Sequence, residues 1–532
     1  MAKCPVCELL PAFAKHVHEY PDPRIETYAG NPLPRALGPL LSEEEAFRRL
    51  AVPADLPRDI RSLPSHLRMH QLGIGLKRLY IPTSQVMDLR RAIEQMLYAR
   101  YQGLNPILPG FNKEVRARLE EFDPFAETTL SQEPFSSTLL MRGFPGMGKS
   151  RGIQRCIATY SPVIYHTEFQ GQPFNFQQRV AVKLDCPPDG SVRGLCLQFL
   201  AELDRLFVLR DGRRTKYFER YRKLTKNELL SVIANLALRH GVGLLAIDEI
   251  QNLLNACVDG PDIILSFLVS LENTIGIPVL LAGTYAADDV LLSRYHQVRR
   301  SEGEGHFVWN AMPCDEEWDK FVKALLTCQV IRKPARWSRD LSDTLHELSF
   351  GVTDIALRIF RFAQEDAIDE ETEQLTSESL TKAAQRHCPL SRGVMQALKD
   401  QDWDNSVLES LHDVLPLERR KELLDHKDKG GAETKADTSL TEERPSKDAK
   451  VKADKPHFRG SCKSKLKVKK KGTGARSQAR SQSRQTCKGR RSHLHQVIEE
   501  GRAQGKSGAE ALKDQGLLAN PESNSTNEQG ES

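Results

Sequence analysis

The sequence predicts an α/β protein: a parallel sheet flanked by helices, followed by a small α-helical domain. Three observations lead there. Over residues 126–320, short β-branched runs alternate with amphipathic stretches, the pattern left by parallel strands joined through crossover helices. One of those runs ends in a glycine-rich turn and is followed at once by a helical pattern. After residue 320 the helical periodicity continues while strand signals nearly vanish.

The elements follow in order. Residues 1–125 are rich in proline and turn signals (YPDPR, NPLPRALGP, VPADLPRD) and hold one clear helical pattern, SQVMDLRRAIEQMLYARY. Its Val86, Leu89, Ile93, Met96 and Leu97 fall on one face. This region reads as an accessory arm or layer rather than an autonomous domain. The strand candidates of 126–320 are STLLMR (137–142), VIYHTE (163–168), VAVKLD (180–185), LLAID (244–248), IPVLLAG (277–283) and HFVWN (306–310), with helices such as RGLCLQFLAELDRLF between them. Residues 321–425 predict a helical domain from DTLHELS, VTDIALRIFRFAQEDAI and SLTKAAQRH. Residues 426–492 turn to Lys, Glu, Ser, Gly and Thr, with too little apolar surface to offset the entropy of ordering, and are expected to form a disordered basic linker. Residues 493–532 carry a last helical candidate, HLHQVIEEGRAQGKSGAEALKDQGLL, and no internal repeat is visible.

Charge narrows the function classes. The 532 residues carry a formal net charge of +5, but 14 Lys and Arg and no acid lie between 455 and 497. Without that stretch the chain stands near −9, so a basic globule that coats nucleic acid is excluded. The longest apolar stretch, 263–271, is far short of the ~20 residues that span a bilayer. The beginning, MAKCPVCELLPAF, has no long apolar segment of the secretory kind. Eleven irregularly spaced cysteines fit a reducing compartment better than a disulfide framework. A soluble cytoplasmic protein, without a membrane partner, is expected.

The chemistry starts at GFPGMGKS (143–150), a full G-x-x-x-x-G-K-[ST]. A loop that holds triphosphate must bring backbone N–H groups onto phosphate oxygens. Gly143, Gly146 and Gly148 permit the turn, with Phe144, Pro145 and Met147 between them. Lys149 supplies positive charge to the β- and γ-phosphates, Ser150 a hydroxyl for Mg²⁺, and Arg151 opens the following helix. LLAIDEIQN (244–252) is an apolar strand that ends in two acids. Asp248 is expected to order Mg²⁺, and Glu249 to polarise the attacking water. Thr284, at the end of LLAGTYAA, is placed to orient that water beside the γ-phosphate. Arg294, Arg299 and Arg300 precede the last strand candidate, where an arginine reaches a neighbouring subunit's nucleotide or belongs to a solvated loop. Gly351 opens a helix whose Arg358 either contacts nucleotide or lies on an amphipathic surface.

Together these are the marks of a P-loop NTPase of AAA+ type, with ATP as ligand and residues 321–425 as its lid. The chain further resembles the TnsC family, the ATP-dependent regulators of heteromeric bacterial cut-and-paste transposons. The resemblance rests on NPLPRALGPL, RLYIPTSQ, IATYSPVIYHTEF, VKLDCPPDGSVRGLCLQFLAELDR, GLLAIDEIQNL, QVRRSEGEGHFVWNAM, ELSFGVTDIALRIF and EEGRAQGKSGAEALKDQG. It implies an ATP-dependent homo-oligomer, ring or filament, on double-stranded DNA in the bacterial cytoplasm. It also implies a target-selector protein as partner, met through 1–125, and transposase subunits, met through 493–532. The basic linker departs from the family's pattern in being longer and more basic.

Other readings stay open at this level. A replication-initiator or helicase-loader ATPase shares the core, but residues 385–425 show no clear helix-turn-helix. A non-hydrolysing ATP-dependent clamp would not need the acids of 244–252, and a protein unfoldase lacks its aromatic pore loop here. FQGQPFNFQQRV, with Arg179, Phe174 and Phe176, reads equally as a projecting DNA-contacting hairpin and as ordinary packing. Cys4 and Cys7 form a C-x-x-C followed by His16 and His18. Zinc is one reading, although two histidines two apart are awkward ligands for one tetrahedral ion.

Overall fold

In the computed structural model the described residues are 14–17, 20–21, 25–122, 138–207, 213–255, 260–288, 306–389 and 413. All fall within the first of two compact units, residues 1–439. The basic linker, 426–492, and the segment 493–532 lie outside the described residues.

Eight strands occur among the described residues: β1 (Ala14–Val17), β2 (Thr138–Gly143), β3 (Val163–Phe169), β4 (Gln172–Arg179), β5 (Ala181–Asp185), β6 (Leu244–Asp248), β7 (Val279–Gly283) and β8 (His306–Trp309). The helices are α1 (Pro32–Leu37), α2 (Glu43–Leu50), α3 (Ser65–Arg78), α4 (Ser84–Gln102), α5 (Phe111–Glu121), α6 (Lys149–Ile157), α7 (Val192–Leu206), α8 (Tyr217–Tyr221), α9 (Lys226–Arg239) and α10 (Gly260–Ser270). A helical domain follows, made of α11 (Glu316–Leu326), α12 (Arg339–Ser349), α13 (Thr353–Asp369) and α14 (Ser377–His387).

Five strands form one parallel sheet in the order β5-β6-β7-β2-β8. β6 and β7 are buried along their whole length, which is why they read as unbroken apolar runs instead of alternating. The chain reverses through helices whose starts are fixed locally. The Ser191 side chain caps α7, and a reciprocal Thr225–Glu228 capping box starts α9.

One strand candidate departs from the expected sheet. VIYHTE becomes β3, but β3 pairs with β1 and β4 in a separate three-stranded sheet. The reason is local. Gln170 and Gly171 both take positive φ, 50° and 75°, the geometry of a tight hairpin turn. The turn folds β4 back on β3, and the chain leaves this sheet only at Arg179, whose N–H donates to the His240 carbonyl at 2.8 Å. β5 then starts the parallel sheet.

The N-terminal helices lie on this core. Asn31 caps α1 and donates through Nδ2 to the Tyr101 carbonyl at 2.6 Å. From α4, buried Arg100 donates to the Ile275 carbonyl at 2.9 Å, and Tyr101 donates through its hydroxyl to the Gly241 carbonyl at 3.0 Å. α3 reaches the helical domain. Its buried Arg68 makes two bonds to the Glu373 carboxylate, at 2.9 and 2.5 Å, and a third to the Val330 carbonyl at 2.9 Å.

A fork-to-carboxylate pair this buried is costly to break, because the survivor keeps its charge without compensation. Arg68→Ala should lower stability by about 3 kcal/mol, seen as a fall in the thermal unfolding midpoint. The Arg68 bonds hold the Glu373 carboxyl below its usual range, against the upward push of burial. The contribution is therefore complete above the ordinary glutamate range and fades as pH falls through the lowered value. Variant and parent should converge only in acid; an equal midpoint at neutral pH would show that the pair adds nothing.

Candidate nucleotide-binding site

β2 ends at Gly143, beside Trp309 of β8. A Cβ on Gly143 would stand 2.2 Å from the Trp309 carbonyl oxygen, so only glycine lets the loop leave the sheet there. Gly146 and Gly148 take φ of 80° and 83°, which turns the loop into the N-terminus of α6. Lys149 and Ser150 are the first two residues of that helix, where backbone N–H groups lack intrahelical partners and the helix dipole favours an anion. Lys149 is buried, and its Nζ donates to the Gly143 and Phe144 carbonyls, both at 2.8 Å. Burial pulls the ammonium pKa down to about 8, opposed by Asp248, Glu249 and Asp413.

Opposite the loop stands Asp248, at the end of β6 and 3% exposed. Its Oδ1 accepts from the Glu249 N–H at 3.0 Å, and its Oδ2 pairs with Lys183 Nζ of β5 at 3.1 Å. Burial lowers the Lys183 pKa, but the contacts with Asp185 and Asp248 outweigh it and the net shift is upward. Glu249 has φ of +57°, a left-handed backbone unusual for a non-glycine residue and typical of functional turns. Gln251 ties this corner together. Its Nε2 donates to Glu249 Oε2 at 2.5 Å, and its Oε1 accepts from the Thr284 N–H at 3.1 Å. The Thr284 hydroxyl donates to Asp413 at 2.6 Å.

The loop and this corner meet at one cavity of about 540 Å³. Its wall takes in the loop from Pro145 to Arg151, Asp248, Glu249, Gln251 and Thr284. Two further walls come from elsewhere in the chain: Leu79, Tyr80, Ile81 and Thr83 between α3 and α4 with Val86 of α4, and Phe321, Thr353, Asp354 and Leu357 from the helical domain. The Tyr80 backbone is fixed by a two-bond bridge to Val52, and its ring lies under the Arg151 and Arg155 guanidinium groups at 5.3 and 5.7 Å. The Asp354 N–H donates to the Gly146 carbonyl at 3.3 Å, so the start of α13 touches the loop itself.

The donor set fits a nucleoside triphosphate with a divalent cation. Cationic loop and helix terminus suit phosphates, a buried carboxylate beside a serine hydroxyl suits a hard cation, and an apolar wall suits a base. Two buried donors on cavity-lining residues, the Tyr80 hydroxyl and the Trp309 indole N–H, have no partner among the described residues.

The expected site residues from Pro145 to Arg151, with Asp248, Glu249 and Thr284, meet in this cavity; Gly143 and Phe144 act from behind it as acceptors for Lys149. Arg358 does not line the cavity. It is more than half exposed and pairs with Asp354 one turn back at 2.6 Å, and Asp354 is the residue that faces the site. Arg294, Arg299 and Arg300 lie outside the described residues, as do Cys4, Cys7 and His18. Among the described residues no group of three or more His, Cys, Asp and Glu side chains is arranged to hold a metal ion. Arg179 is buried, donating to the Pro162 carbonyl at 2.8 Å and to Glu202 at 3.0 Å, while Phe174 and Phe176 stack on each other. The hairpin exists, but its arginine is packing.

Residues 136–291 match the family described as "AAA domain". The fold is that of an AAA+ P-loop NTPase. Among solved structures, the chain is similar to the Walker-type ATPase PABY2304 of Pyrococcus abyssi, with 16% identity over 60% of this chain and 88% of that one, at a TM-score of 0.35. It is similar to the Aeropyrum pernix ORC2 protein, with 14% identity over 61% and 87% and a TM-score of 0.36. It is also similar to Cdc6p of Pyrobaculum aerophilum, with 13% identity over 62% and 88% and a TM-score of 0.33. No curated protein matches the chain. No helix among the described residues is long and apolar enough to cross a membrane.

The AAA+ loop lysine gives a pH test. Phosphates favour the charged form of Lys149, so above about pH 8 binding must take up a proton. Affinity for a fluorescent ATP analogue should be level below that pH as far as Lys149 is concerned, and weaken above it by up to about tenfold per pH unit. A profile that stays level to pH ~9.5 would place the lysine's titration elsewhere.

Proposed function

We propose that this AAA+ protein hydrolyses ATP and uses the nucleotide to control its own assembly on double-stranded DNA, as a transposition regulator of the TnsC kind. The observation that carries the ATPase reading is the meeting of Lys149, Asp248, Glu249 and Thr284 in one cavity. The family motifs quoted from the sequence support the transposition role. In this reading residues 1–125 meet a target selector and 493–532 the transposase, in the bacterial cytoplasm.

The chemistry follows from the side chains. The backbone N–H groups of the loop and the Lys149 ammonium bind the phosphates. Ser150 and Asp248 are the residues that would hold Mg²⁺, which when bound draws charge from the terminal phosphates. Glu249, steered by Gln251, accepts the proton of the attacking water. Thr284, whose N–H is fixed by the same Gln251, orients that water with its hydroxyl. An arginine of a neighbouring copy, Arg299 or Arg300, completes the site, so nucleotide joins adjacent protomers. A surface hollow of about 640 Å³, whose lining includes Lys216, Arg220 and Arg239, offers positive charge for phosphate contacts without base reading.

Sedimentation on duplex DNA with ATP, ADP or no nucleotide tests the reading. Lys149→Ala should lose ATP binding and ATP-dependent assembly; nucleotide-dependent assembly by this variant would overturn the proposal. Glu249→Gln should keep nucleotide and remain on DNA while its turnover falls about 100-fold or more. Turnover at the parent rate would remove Glu249 from its role.

A further inference from the structure

Asp248 has a counter-charge within the protein itself. Its Oδ2 lies 3.1 Å from the Lys183 ammonium, which also stands 2.6 Å from Asp185. The geometry comes from the parallel register of β5 on β6, where Lys183 is opposite Ala246 and Asp185 is opposite Asp248. Residues two apart share a face, so all four positions lie on one side of the sheet. The two carboxylates differ in setting: the Asp248 side chain is 4% exposed and that of Asp185 67%.

A buried carboxylate without a counter-charge is strongly disfavoured, and Lys183 removes that penalty. The same ammonium repels a divalent cation at the same oxygen. A cation that binds Asp248 must either share the carboxylate with Lys183 at close range or displace the lysine toward Asp185.

We propose that Lys183 is the protein's own counter-ion for Asp248 and sets the divalent-cation concentration at which nucleotide is taken up. Asp185 is the station that receives the lysine when the cation enters. The proposal rests on the nucleotide reading of the cavity, and goes beyond it by assigning a threshold to two residues outside the binding loop.

The two partners predict shifts of opposite sign. Binding of a fluorescent ATP analogue to the full chain is followed as Mg²⁺ is raised from an EDTA-treated start. In Lys183→Met the half-saturating Mg²⁺ should fall by about tenfold, the scale of removing one close like charge from a carboxylate, while metal-free binding becomes no tighter. In Asp185→Asn the lysine is left with Asp248 alone, and the half-saturating Mg²⁺ should rise. A Lys183→Met protein that needs as much Mg²⁺ as the parent, or more, overturns the proposal. Should Lys183→Met fail to fold, Asp185→Asn decides alone, since its site is exposed, and an unshifted Mg²⁺ requirement there is equally fatal. Parent protein that takes up no nucleotide at any Mg²⁺ level would instead sink the nucleotide reading, and this proposal with it.

Discussion

Lys149 and Asp248 are opposite charges buried at the same edge of one parallel sheet, and much of the surrounding architecture is needed to keep them there. Neither residue is stable in that position by itself. Lys149 spends two of its donors on the carbonyls of its own loop, and Asp248 divides its oxygens between the Glu249 N–H and Lys183. β7, lying between β2 and β6, sets the distance between the loop and the acid and delivers Thr284 to the gap. The charges are thus fixed by contacts within the protein itself, which is what electrostatic preorganisation requires.

The cavity is closed by parts of the chain that the phosphate loop does not foretell. α3 spans the distance between two of them. Near its start, Arg68 grips Glu373 of the helical domain; at its end, the Lys77 carbonyl accepts from Arg151, and Leu79, Tyr80 and Ile81 form a wall of the cavity. The start of α13 touches Gly146 from the other side. A shift of the helical domain against the sheet therefore acts on both walls at once.

Gln251 shows how a positioning group escapes a reading made along the chain. It sits two residues after Glu249, in the short 3-10 helix Ile250–Asn255 that follows β6, and its two amide atoms join residues that follow different strands. Gly283 has no side chain where Gln251 passes; a Cβ there would stand 2.7 Å from Oε1. Neither residue carries chemistry of its own, so neither announces itself by type. Tyr80 and Val52 belong to the same class, being joined by backbone bonds across a stretch with no strand pattern.

The amino-acid order by itself determined the parallel α/β core, the loop at 143–150, the acids that end β6, the threonine that ends β7 and the helices after residue 316, because each follows from a local rule: strand burial, glycine geometry, capping, or the period of a helix. Tertiary structure alone decided what those rules do not reach. It put β3 in a second sheet with β4 and β1, turned Arg179 inward onto Glu202, left Arg358 paired with Asp354, laid the 79–86 segment over the cavity and placed Lys183 beside Asp248. The physical reason is common to all of them. A lysine, an arginine or an apolar segment has the same local preferences whether it faces water, a carboxylate or a ligand, and only the packing of distant elements determines which of these it meets.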